Sequence, residues 1–132
     1  MHDDTRDRLT TDVLEYAYRL DRDNLEAVAR ALGQESWHAL TTQLSWESYD
    51  AGHDMGMLGA ASPDLGVSVS LTDGEIGFPN PAAPGNFSVV IFGPDWEDDL
   101  YFVSALNGAV NWRGGRMVTE ERVPSLTLSP LA

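Results

Sequence analysis

The chain contains no cysteine and no lysine in its 132 residues. Without thiols it can form neither a disulfide nor a thiolate metal site, and it has no thiol nucleophile. Its eight basic residues are all arginines and stand against 21 acidic residues, which gives a formal net charge of −13. Such a charge repels nucleic acid and attracts a basic partner. A composition set by GC-rich coding or by high salt is the alternative origin of the acidity.

Long hydrophobic runs are also missing, since no apolar run approaches the roughly 20 residues that span a bilayer. The N-terminal residues 1–7 are polar and acidic, and they lack the basic and apolar regions of a signal peptide. We therefore expect a cytoplasmic protein with no membrane partner. A chain of this length fits a single domain, residues 1–132, that buries roughly two-thirds of its unfolded surface.

The first half of the chain has helical periodicity. Apolar residues at spacings of three and four predict a helix over residues 5–20. Asp23, with Glu26 three residues later, resembles a capping box and predicts a second helix, which Gly33 would end. Ser36 is the predicted N-cap of a third helix.

A short apolar strand organises the second half. Phe87–Phe92 has apolar residues on both faces and turn-forming residues on both sides, so we predict a strand in the centre of a sheet. Asp73 and Gly74 form a two-residue turn signal. That turn would place Ile76 opposite Leu71 in a hairpin.

A second hairpin is predicted at residues 107–108, where Asn-Gly is the strongest short turn signal in the chain. Pairing across it sets Val103 opposite Trp112. Two glycines at residues 114–115 predict another turn, which would bring Met117 beside Trp112.

These patterns together predict an α+β fold. About three N-terminal helices, within residues 5–49, are followed by a connector at residues 50–65. Five or six antiparallel strands form a meander over residues 66–128, and the alternation at residues 126–128 supplies the last strand or a docked segment. Runs of one element type followed by the other are typical of this class, with the helices packed on one face of the sheet.

Two acidic segments with aromatic residues are the candidate partner-binding sites. An acidic loop with an aromatic anchor can dock on a basic protein, although a solvated loop whose tryptophan folds back onto the sheet is the structural alternative. The predicted partner-binding residues are Asp95, Trp96, Glu97, Asp98 and Asp99 in one segment and Tyr49, Asp50 and Asp54 in the other.

Signals for catalysis and metal binding are thin. His53 beside Asp54 could act as a general base, but no Gly-x-Ser-x-Gly motif accompanies it. The three histidines lack the spacing of a zinc site, and the acidic segment lacks the spacing of an EF-hand. We therefore expect neither an enzyme, nor a metal, nor a cofactor. A small hydrolase is retained as an alternative.

Residues 25–40 resemble a helix-turn-helix in the spacing of Ala29, Leu32 and Gly33. The corresponding recognition helix has no Arg or Lys to contact DNA, so we interpret the segment as a pair of packed helices.

The leading hypothesis is an acidic protein that acts by protein–protein interaction, such as an immunity protein or an inhibitor of a nuclease or defence system. A structural virion or assembly component and a helix-turn-helix regulator are the alternatives.

Overall fold

A six-stranded antiparallel sheet and two helices form the computed structural model, which describes residues 3–53 and 55–117. The elements are α1 (Asp3–Ala31), α2 (Trp37–Thr41), β1 (Glu47–Gly52), β2 (Met55–Ser62), β3 (Val67–Thr72), β4 (Phe87–Phe92), β5 (Asp99–Leu106) and β6 (Ala109–Gly114). The strands lie in chain order, β1 to β6, and every neighbouring pair is antiparallel. The predicted α+β class and the meander are confirmed.

The prediction of about three helices is wrong, because the first two form a single helix, α1. Its backbone leaves helical geometry at Asp21 (φ −137°, ψ 31°), two residues before the predicted cap. Asp23 itself is exposed, and the Glu26 carboxylate accepts a hydrogen bond from the Trp37 N–H instead of returning to Asp23. The position of the break follows from the buried contacts of Asp21, which local sequence does not show.

The predicted helix stop and the second cap are both confirmed. Gly33 has a φ of +85°, and the N–H of Gln34 donates to the Ala29 carbonyl at 3.0 Å, which closes a Schellman-type end. The Ser36 hydroxyl accepts a hydrogen bond from the N–H of Ala39 at 3.0 Å, so α2 begins where predicted.

The core lies between α1 and one face of the sheet. The register sets Leu71 beside Val89 and Val89 beside Val103, so β3, β4 and β5 present one apolar surface. Tyr16 of α1 meets the ring of Phe87 edge-on, with 5.8 Å between the centroids. The buried apolar side chains of this layer each contribute about 1.5–3 kcal/mol to folding. We call this side of the sheet the inner face.

A buried polar cluster joins the break in α1 to the far end of the sheet. The Tyr101 hydroxyl donates to Asp21 Oδ2 at 2.5 Å, and Arg113 Nε donates to Asp21 Oδ1 at 2.8 Å. Asn24 Nδ2 also donates to Asp21 Oδ1, at 2.9 Å. Burial, followed by the negative charge of Asp21, raises the pKa of Tyr101. The cluster therefore ties α1 to β5 and β6 and keeps Tyr101 protonated.

Residues 50–65 were predicted to be a connector, but the described ones form the end of β1, all of β2 and the turns beside them. Because this segment is rich in small residues, its sequence shows no strand alternation. The same small residues fit where neighbouring side chains lie close to the sheet. A side chain at Gly56 would collide with the ring of Phe78, and one at Gly59 would meet Trp96 at 2.9 Å. The sheet therefore begins at Glu47, about 20 residues earlier than the sequence pattern indicates.

The predicted hairpin at Asp73 is wrong. Both edges of β3 are occupied by β2 and β4, so Leu71 pairs with Val89 and no edge is left for Ile76. The Asp73 carboxylate instead accepts hydrogen bonds from the N–H groups of Glu75 and Gly77, at 2.8 and 3.2 Å. These bonds close a compact loop, and Ile76 is 64% exposed.

The hairpin at residues 107–108 is confirmed, since Asn107 and Gly108 both have positive φ. The predicted pairing of Val103 with Trp112 is wrong, because the register shifts between Ser104 and Ala105. This shift sets Trp112 opposite Ser104, on the face away from α1, where Trp112 is 60% exposed.

Met117, predicted beside Trp112, is buried instead, and its N–H donates to the Leu100 carbonyl at 2.9 Å. The chain therefore turns after β6 toward the start of β5. The predicted strand at residues 126–128 lies outside the described residues.

Candidate functional site

The acidic segment after β4 is a tight loop whose tryptophan folds back onto the sheet. The Gly93 N–H donates to the carbonyls of Glu97 and Asp98, at 2.8 and 3.1 Å, which closes the loop. Trp96 is partly buried and meets the ring of Phe92 edge-on, at a centroid distance of 5.7 Å. Asp99 is not part of the loop, because it is the first residue of β5.

Tyr49 of β1 completes this aromatic group. Its ring meets Trp96 edge-on, with centroids 6.0 Å apart. Both rings lie over Gly59, where an added Cβ would come within 2.9 Å of Trp96 and 3.0 Å of Tyr49. Two segments that were predicted separately therefore form one surface on the outer face of the sheet, opposite α1.

The carboxylates around these rings are exposed. Asp95, Glu97 and Asp98 flank Trp96 in sequence and face solvent. The Tyr49 hydroxyl donates to Glu47 Oε2 at 3.2 Å. Partial burial, followed by this hydrogen bond and the charge of Glu47, raises the pKa of Tyr49. We call the surface formed by Glu47, Tyr49, Asp95, Trp96, Glu97, Asp98 and Asp99 the acidic face. Asp50, the next residue of β1 after Tyr49, pairs with Gly56 and points to the other side of the strand.

The backbone of the loop is unusual. Asp95, Trp96 and Asp98 have φ of 61°, 63° and 58°, in the left-handed region that disfavours most side chains. Asp tolerates this region, but a bulky residue such as Trp does so rarely. Strained residues of this kind cluster at ligand and partner sites, where surrounding contacts hold them in place. The packing of Trp96 on the sheet and the two hydrogen bonds from the Gly93 N–H together hold this loop.

An open groove of about 640 Å³ runs along β1 and β2 beside Tyr49. Met55 and Met57 supply apolar lining, and the loop after β3 adds Glu75 and the exposed side chain of Ile76. Tyr49 is 39% exposed at the groove. The groove thus combines exposed apolar groups with carboxylates.

The structure brings together most of the predicted site. The rings of Tyr49 and Trp96 are in contact. Asp98 forms an exposed ion pair with Arg116 at 3.1 Å. Asp54 lies outside the described residues. Sequence reasoning missed Phe92 and Ile76, although the alternation of β4 does place Phe92 opposite the core residues of that strand.

The catalytic alternative depends on His53, and the DNA-binding alternative depends on α2. His53 sits in the exposed turn after β1. Among residues 3–53 and 55–117, no three His, Cys, Asp or Glu side chains are grouped so that they could hold a metal ion. α2 has five residues and carries neither Arg nor Lys. No helix within those same ranges has both the length and the apolar character needed to cross a membrane.

Comparison with known proteins adds no assignment. No family model matches the chain, and neither the curated proteins nor the solved structures contain a match.

Proposed function

We propose that this protein acts by binding a basic protein partner through the acidic face. The observation that carries the proposal is the contact between Tyr49 and Trp96, which joins two acidic segments into one surface with an aromatic centre. Protein interfaces are commonly built in this way, with Tyr and Trp at the centre and polar or charged residues at the rim.

The distribution of charge supports the same surface. Residues 31–112 hold 11 of the 21 acidic residues and none of the eight basic ones. The sheet from β1 to β5 belongs to this segment, whereas five of the eight arginines lie in α1. α1 also holds eight acidic residues, so its formal charge is −3 (8 acidic against 5 basic), compared with −11 for residues 31–112. The denser negative charge of the segment that forms β1 to β5 would steer a basic partner toward the sheet. Acidity caused only by GC-rich coding or by high salt would be expected throughout the chain, without this difference between residues 31–112 and α1.

The groove beside Tyr49 gives the partner a place for an apolar side chain. Exposed Ile76 and the two methionines of β2 lie next to Asp50 and Glu75. A partner segment with Arg or Lys on one side and an apolar residue on the other matches both features. An immunity protein or an inhibitor of a nuclease or defence system would work by such a contact.

In the first step of the test, the tagged chain captures the partner from the native host, and mass spectrometry identifies the partner. Association rates of the purified pair are then measured at several salt concentrations. In the face variant, Asp95→Asn, Glu97→Gln and Asp99→Asn remove three charges but keep the Asp98–Arg116 ion pair. We expect association about tenfold slower than wild type, with a weaker salt dependence.

The matched control removes the same charge from the exposed residues Asp12, Glu15 and Glu35, through Asp12→Asn, Glu15→Gln and Glu35→Gln. This control should associate at close to the wild-type rate. Equal slowing in both variants would assign the effect to overall charge and would remove the acidic face from consideration. Recovery of only further copies of this chain would favour the assembly-component alternative.

A further inference from the structure

A second surface, independent of the acidic face, lies at the break in α1. The break places Asp21 in the protein interior, where its side chain is 1% exposed and holds Arg113. An open cleft of about 730 Å³ covers this point and is lined by α1 residues on both sides of the break and by Arg113 of β6. Cleft volumes of about 300–1,000 Å³ are typical of sites for small ligands.

Arg113 is only partly satisfied by the protein. Its side chain is 8% exposed, and its Nε donates to Asp21 Oδ1 at 2.8 Å. Its buried Nη1 has no hydrogen-bond partner. Leaving a buried charged donor unpaired is costly, and such groups in folded proteins are normally bonded to protein, water or a bound ligand. The guanidinium of Arg113, a residue that lines the cleft, therefore has hydrogen-bonding capacity left.

Two further arginines line the same cleft. Arg19 lies over the ring of Tyr16, with its guanidinium carbon 5.3 Å from the ring centroid. Arg22 makes only a long contact of 3.6 Å with Asp23, and both of these side chains are largely exposed. Both arginines can thus turn toward a ligand without breaking a buried interaction.

We propose that this cleft binds a small oxyanion, with Arg113 at its base and Arg19 and Arg22 at its rim. The planar guanidinium fork suits the oxygens of a phosphate or a carboxylate. Glu15 and Asp23 line the same cleft. Together with the net charge of −13, they oppose a polyanion such as nucleic acid. The ligand is therefore a small molecule that carries one phosphate or carboxylate group.

The experiment titrates the whole chain with sodium phosphate and, separately, with sodium acetate, against sodium chloride at equal ionic strength. The Nε–H signal of Arg113 is followed by NMR, since this proton is held in a buried hydrogen bond. We expect a saturable shift with at least one of the two oxyanions and none with chloride. Saturation by phosphate alone identifies a phosphate site, and saturation by acetate identifies a carboxylate site.

Exposed rim arginines provide variants that should keep the fold. Arg19→Gln and Arg22→Gln should each raise the Kd of the bound oxyanion about tenfold, the effect of losing one charge-assisted hydrogen bond. Arg30→Gln is the control, because Arg30 is an exposed arginine of the same helix that does not line the cleft. Absence of saturation with both oxyanions, or an equal loss in the Arg30 variant, would overturn the proposal.

Discussion

Replacing Asp21 by Asn should destabilise the protein more than any change at an exposed ion pair. The carboxylate of Asp21 is 1% exposed and holds Arg113, which is 8% exposed, through a 2.8 Å contact between Oδ1 and Nε. Asparagine has nearly the same shape, so packing around the site is kept while the negative charge is lost. A buried Arg113 is then left without its counter-charge.

The structure sets the size of the effect. Breaking a buried ion pair by removing one partner costs about 3–5 kcal/mol, because the remaining charge is desolvated and unpaired. A domain of ordinary stability unfolds with about 5–15 kcal/mol, so the loss is a large fraction of the total. The hydrogen bond from Tyr101 to Asp21 Oδ2 adds to the expected cost, since asparagine offers one acceptor oxygen where aspartate offers two.

Urea denaturation, followed by circular dichroism at pH 7, measures this free energy of unfolding. Asp23→Asn is the control, because its contact with Arg22 is long, at 3.6 Å, and both side chains are largely exposed. A double-mutant cycle with Arg113→Met measures the interaction energy between Asp21 and Arg113 apart from their contacts with other residues. The double variant should be less destabilised than the sum of the single variants, because methionine leaves no buried charge. Equal losses for Asp21→Asn and Asp23→Asn, or strict additivity in the cycle, would refute the reasoning.

Two further predictions concern the acidic face and the buried tyrosine. Gly59→Ala should displace Trp96, since the new Cβ would lie 2.9 Å from its ring. We expect the free energy of unfolding to fall by about 1–3 kcal/mol and the indole NMR signal of Trp96 to move. An unmoved signal would contradict the packing described. The pKa of Tyr101 is raised above its ordinary value of 10.0, so its contribution to stability is present below pH 10 and is lost as the pH rises further. Tyr101→Phe should therefore cost about 1–3 kcal/mol at pH 7 and flatten the fall in stability above about pH 10; an alkaline limb as steep as that of wild type would show that Tyr101 does not cause it.

Local signals in the sequence were enough for several elements. The Asn-Gly pair at residues 107–108, Gly33 at the end of α1 and the Ser36 cap each act through bonds or φ angles within a few residues. The Phe87–Phe92 strand is recognised for a similar reason, since its length, its flanking turns and its apolar faces are all contiguous. Such features do not depend on the rest of the fold.

Only part of the candidate site could be predicted from local sequence. Its acidic and aromatic residues could be named from composition, but Tyr49 and Trp96 are far apart in the chain, and their contact depends on the order of the strands. The methionine- and glycine-rich β2 has no alternation to mark it as a strand. Its identity follows from having β1 and β3 on either side.

Sequence alone determined the class of the fold, the central strand, the tight turns and the acidity, because each of these is a property of composition or of neighbouring residues. The tertiary structure decided the beginning of the sheet, the loop at Asp73 and the exposure of Trp112, because strand pairing and a single register shift choose which face a side chain occupies. It also decided the burial of Asp21 with Arg113, since an ion pair between residues 92 positions apart exists only once the helix lies across the sheet.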